Sequence, residues 1–203
     1  MVRTIRYRMA VRKPRAGRLS PDDWVRAAVG AIARGGIAAV AVETIAAELG
    51  ATKGSFYWHF KNRDALIQTA LDRWEHVGTE AVIANLEQEP DPGRRLKSVL
   101  AAAFELGPMD RAEVALLANP DHPAAVRAVR RVAERRIAYI SRQLEGLGWD
   151  RGQALDRAVL MYYVYVGHMQ MTHVAPDVIS RDARRRQAEL VFDALAAGDP
   201  HRR

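Results

Sequence analysis

The residues best suited to chemistry lie in one run, LGATKGSFYWHFKNRDAL, from Leu49 to Leu66. Phe56 and Phe60 stand four apart, so on a helix they share one face and bury together. Lys53, Ser55, Tyr57, Trp58 and His59 must then project elsewhere. Showing a lysine, a hydroxyl, two large aromatics and a histidine over about two turns is costly unless something covers them. Tyr57 and His59 can donate hydrogen bonds to phosphate oxygens, and Lys53, Lys61 and Arg63 can neutralise backbone charge. From Leu49 to Arg63 there are three cations and no acid, although residues 19–75 as a whole are slightly acidic. The chemistry this pattern suits is contact with a nucleic-acid backbone and groove.

A second group has a different character. From Ala158 to Pro176 the chain carries no formal charge for 19 residues. Met161, Tyr162, Tyr165, His168 and Met169 offer apolar walls, a few polar groups and adaptable methionines, which suit a small apolar or aromatic effector. Phe104 is a weaker candidate for the same wall. A helix buried on all sides against a bundle and a partner would look the same, and the two uses stay open. Gly167, His168, Gln170, Thr172, His173 and Pro176 fall inside the run and are costly in lipid, so no membrane span is expected.

Other reactive constellations are missing. There is no cysteine, which excludes disulfides, iron–sulfur clusters and cysteine zinc sites. His168 and His173 lie five apart, about 140° around a helix, and do not face one metal. Neither HExxH, GxSxG nor a phosphate-cradling glycine loop occurs. No enzymatic activity, metal or cofactor is expected.

The elements that must position these residues are helical. Ser20-Pro21-Asp22-Asp23 opens a helix: the serine caps free amides, proline suits the first turn, and the acids meet the positive dipole end. Gly35-Gly36 ends it. A shorter helix runs from about Val42 to Leu49 and stops at Gly50. Thr52 caps a third that reaches about Phe60, and Asn62 caps a longer one into Trp74. A short helix entered across a tight glycine turn is the geometry of a recognition helix in a major groove. Breaks at 89–93, 107–108, 119–123, 146–150 and 176 divide the rest into helices near 94–106, 111–118, 124–144, 158–175 and 181–196. No run with strand chemistry appears. The fold expected is all-α, of about nine helices.

The 203 residues are 49% hydrophobic and 27% charged, an ordinary globular composition. The net charge is +7, and residues 1–18 alone hold seven basic side chains and no acid, so 19–203 sum to zero. A neutral body with a basic arm is the asymmetry of a polyanion binder. Part of it is usage, since arginine outnumbers lysine 27 to 4 throughout. The arm lacks the apolar run of a secretory leader, so a cytoplasmic location is expected.

The run IAAELGATKGSFYWHFKNRDAL, Ile45 to Leu66, following a capped helix, resembles the helix–turn–helix of the TetR family of bacterial transcriptional regulators. The matching positions are Ile45, Ala46, Leu49-Gly50, Gly54, the Tyr57-x-His59-Phe60 block, Arg63 where lysine is usual, and Leu66. The resemblance implies a homodimer with a three-helix DNA-binding head at 19–66 and a larger helical domain at 67–203 that dimerises and binds an effector. It carries DNA contacts onto Lys53, Ser55, Tyr57, Trp58, His59, Lys61 and Arg63. It also implies a repressor on a near-palindromic operator, with the helix from Asn62 into Trp74 as the lever between head and body. Ala41 departs from the family, which often has a phosphate-contacting threonine capping the second helix. A ligand-independent, architectural DNA binder remains the alternative.

Overall fold

The computed structural model describes residues 19–105 and 108–198, so the basic arm and its expected role lie outside the described residues. These residues form ten α-helices and no strand. They are α1 (Pro21–Gly35), α2 (Val42–Leu49), α3 (Lys53–Tyr57), α4 (Arg63–Glu75), α5 (Ala81–Leu86), α6 (Pro92–Glu105), α7 (Pro108–Leu117), α8 (Pro123–Gly146), α9 (Arg151–Val174) and α10 (Arg181–Leu195). A five-residue π-helical segment, His76–Glu80, joins α4 to α5 without a break. Taken as one helical run, α4 to α5 brings the count to the nine expected.

Two compact units emerge. One contains residues 19–78 together with 108–130; the other contains 79–105 and 131–198. Within the first, α7 packs along α1, and Trp74 Nε1 on α4 donates to the Met109 carbonyl at 3.2 Å. The head therefore recruits a helix about 75 residues downstream of α1, which no local pattern announces.

Local chemistry explains the starts and stops in this unit. Ser20 Oγ accepts from the Asp23 amide while the Asp23 carboxylate accepts from the Ser20 amide at 2.9 Å, a complete capping box. Thr52 and Asn62 cap α3 and α4 as expected, accepting from the amides of Ser55 and Ala65. Ala41 caps α2 with no side-chain bond. Gly50 ends α2 with φ 64°, and Gly36 follows α1 with φ 66°. A Cβ on Gly36 would also meet Asn119 Nδ2 at 2.6 Å, so both backbone and packing demand glycine there.

In the second unit α10 packs along α6, and α9 contacts both. Leu96, Ile140, Leu144, Ala154, Ala158 and Met161 make its main core with Trp149, whose Nε1 donates to the Ala196 carbonyl at 3.2 Å. No helix among the described residues is long and apolar enough to cross a membrane.

Candidate functional site

The head's surface is built outward from a buried aromatic stack. Trp24 of α1 meets Phe56 edge-on with ring centroids 5.5 Å apart, and Phe56 stacks on Phe60 at 5.6 Å. Phe56 and Phe60 are both buried, which fixes the inner face of α3. The helix itself is shorter than expected, ending at Tyr57 rather than near Phe60. One turn still persists, because the Phe56 carbonyl accepts from the amides of both His59 and Phe60, at 2.9 and 3.0 Å.

With the inner face fixed, the other side chains have nowhere to go but out. Tyr57 is 56% exposed and Trp58 78% exposed, beside exposed Lys53 and Lys61. Ser55 and His59 are half-buried. Lys53 Nζ pairs with Glu43 of α2 at 2.6 Å. The hydrogen bond from that ammonium holds the Glu43 carboxyl below its usual range and, reciprocally, raises the lysine. Two large aromatics, two ammonium groups and an imidazole thus share one short surface.

Arg63 sits apart from this exposed group. It is half-buried, and its Nε donates to the Val40 carbonyl at 2.6 Å while Nη2 donates to the Ile37 carbonyl at 2.7 Å. Those carbonyls belong to the short 3-10 turn Ile37–Ala39 and its end, where the chain passes from α1 to α2. The guanidinium braces this turn inside the head. The sequence pattern marks Arg63 as basic but carries no sign of the turn that captures it.

The second candidate group divides. A cleft of about 310 Å³ opens between α6, α9 and α10, lined by Phe104, Val164, His168, Met171, Leu190 and Val191 among others. Phe104 and His168 stand ring to ring at 4.4 Å. Met161, Tyr162, Tyr165 and Met169 do not line it. They are buried on α9, Met161 and Tyr165 on the arc next to His168 and Tyr162 and Met169 further round the helix. Met161 joins the main core, and Tyr165 accepts from Arg136 Nη1 at 3.3 Å beneath its guanidinium. Of the six residues singled out by type, the cleft brings Phe104 and His168 together and leaves the other four in the packed interior. Val164, Gly167 and Met171, at −4, −1 and +3 from His168 on α9, also line the cleft, and Leu190 joins them from α10, which no spacing within α9 could announce.

Comparisons agree with this geometry. Residues 25–70 match the family model described as bacterial regulatory proteins, tetR family. An HTH-type transcriptional regulator of Bacillus subtilis (strain 168), YerO, is 31% identical over 84 residues, 40% of this chain and 29% of its own length. The chain thus aligns with under a third of that curated relative. A transcriptional regulator from Rhodococcus sp. Rha1 superimposes with a TM-score of 0.72 at 19% identity, over 91% of this chain and all of its own. A regulator from Saccharomonospora viridis, crystallised with choline, gives 0.72 at 17% identity over 85% of this chain and 95% of its own. At these identities the two structures speak for the fold.

Proposed function

We propose that this chain is a cytoplasmic, ligand-responsive transcriptional repressor of the TetR type acting as a homodimer on double-stranded DNA, a reading supported by the match of residues 25–70 to that family's model. Two copies of α3 would enter successive major grooves of a near-palindromic operator, roughly 34–36 Å apart. The observation that carries the reading is the exposed Tyr57–Trp58 pair flanked by Lys53 and Lys61, with Phe56 and Phe60 buried behind them. Lys53, Tyr57, His59 and Lys61 would take phosphates, with Ser55 and Trp58 reaching toward the groove. Arg63 would act by holding the turn before α2 in place.

The cleft at Phe104 and His168 is the candidate effector site. The choline complex of one fold neighbour supports effector binding as a theme. The lining here is mostly apolar, with His168 and Gln187 as its polar side chains, which favours an apolar or aromatic ligand. To work as a switch, that ligand must prefer the DNA-incompetent state, and a 1:99 to 99:1 swing needs about 5.5 kcal/mol of preference.

The test is selection of duplexes from a random pool, followed by titration of the best one. Alanine at Tyr57 and at Lys61 should weaken binding at least about tenfold, a loss of about 1.4 kcal/mol, while melting stays unchanged. A wild-type protein that ignores every duplex at low salt would overturn the reading.

A further inference from the structure

From Leu49 to Arg63 the chain has no acid, yet the fold brings one onto α3 from α2. Glu43 Oε1 lies 2.6 Å from Lys53 Nζ, and the two side chains are 65% and 57% exposed. The other carboxylate of α2, Glu48, pairs instead with Arg34 of α1, also at 2.6 Å. Exposed ion pairs contribute little to stability, so holding the head together does not account for the pair of Lys53 and Glu43. The hydrogen bond from the lysine, and then the residue's own amide, hold the Glu43 carboxyl below its usual range. At neutral pH it is therefore ionised and can only accept.

Such a pair suits a phosphate poorly. Its formal charges cancel, so docking it on the backbone releases little counterion, and the carboxylate would meet a second anion. Base edges are different, because they set acceptors and donors side by side. In a G·C pair, guanine O6 and cytosine N4 are hydrogen-bonded to each other, roughly 2.9 Å apart, and both face the major groove. An ammonium and a carboxylate 2.6 Å apart offer the complementary order, a donor against O6 and an acceptor against N4. An ammonium has three hydrogens. With one held by Glu43, two are left for O6 and N7 of the guanine. An A·T pair would instead set the thymine methyl beside the ammonium and put N7 beyond its reach. Lys53 also stands on the first turn of α3, the end of a recognition helix whose side chains reach base edges.

Building on the operator binding proposed above, we propose that Glu43 and Lys53 read one G·C base pair in each half-site as a unit. The carboxylate accepts from cytosine N4 while the ammonium donates to guanine O6 and N7. Lys53 then turns to a base rather than a phosphate, and the backbone contacts fall to Tyr57, His59 and Lys61. Away from its site, Glu43 cancels the charge of the lysine and so lowers the affinity of the head for unrelated duplexes.

Duplexes selected from a random pool by the wild type, Glu43→Ala and Lys53→Ala test the unit, with melting curves on each protein. Both variants should lose preference at the same G·C pair of each half-site, by at least about tenfold per half-site, while melting like the wild type. Glu43→Ala should in addition bind an unrelated duplex more tightly. Its slope of log affinity against log salt there should steepen by about 1.8 for the dimer, as two ammonium groups are released to phosphates. Unchanged base preference in Glu43→Ala, or relaxation of the two variants at different pairs or at an A·T pair, overturns the proposal and leaves the operator reading standing. A second measurement does not depend on the folding of a variant. N4-methylcytosine at the G·C pair replaces the free N4 hydrogen by a methyl group and should weaken the wild type at least about tenfold. Wild-type binding indifferent to that methyl overturns the contact. A wild type that ignores every duplex refutes the proposed function, and the base reading falls with it.

Discussion

Lys61 and Arg63 sit two residues apart with opposite fates. Lys61 is exposed, whereas the Arg63 guanidinium is bonded to the Val40 and Ile37 carbonyls. Alanine at Arg63 removes two charge-assisted bonds and should cost about 2 kcal/mol, lowering the melting temperature by roughly 4–8 °C. Alanine at Lys61 should leave stability within about 0.5 kcal/mol but reduce the slope of log affinity against log salt by about 1.8 for the dimer if the ammonium of each copy neutralises one phosphate. Differential scanning fluorimetry and a salt titration of operator binding separate the two. If the Arg63 variant melted like the wild type yet showed a weaker salt dependence, the brace assignment would be wrong. Both residues look alike in sequence, because basicity is a local property. Which carbonyls a guanidinium can reach depends on where a turn some 25 residues earlier is placed.

Among the elements, the helix starts were the most legible parts of the chain. Ser20, Thr52 and Asn62 each accept from the amide three residues on, because a cap needs only its own turn to form. The capping box also makes α1 acid-sensitive. Hydrogen bonds from the Ser20 hydroxyl and amide hold the Asp23 carboxyl below its ordinary 3.8. A folded pKa below the unfolded one means the stabilisation is fully present above the unfolded value and is lost as pH falls through the folded one. Asp23→Ala should therefore cost about 1 kcal/mol at neutral pH, with the difference from wild type shrinking as pH drops below about 4. Melting curves across that range check it, and a difference independent of pH would reject the assignment. The π-helical segment His76–Glu80 was not legible at all. It is held from a distance: Thr79 Oγ1 accepts from Arg136 Nε at 3.0 Å, and the Glu80 carboxylate takes Arg135 in two bonds at 2.9 and 3.1 Å. Such segments often mark functional sites, and this one directly follows the helix expected to act as the lever.

For the whole molecule, charge placement makes a prediction that lies outside the described residues. The arm at 1–18 holds seven basic side chains above a neutral remainder. If it meets phosphates, its deletion should flatten the salt dependence of operator binding by about 0.9 for each phosphate it neutralised, with no change in helicity. An unchanged slope would leave the arm without that role. The sequence by itself determined the all-α class, the helix caps, the aromatic pair that anchors α3 and the likeness of residues 25–70 to the tetR family model. All of these depend on residues within a turn or two of one another, where spacing and side-chain type suffice. Only the tertiary structure decided that α7 packs on α1, that Arg63 turns inward, and that Phe104 and His168 face one cleft while Met161 and Tyr165 face the core. Those outcomes depend on contacts between residues far apart in the chain, which no local spacing announces.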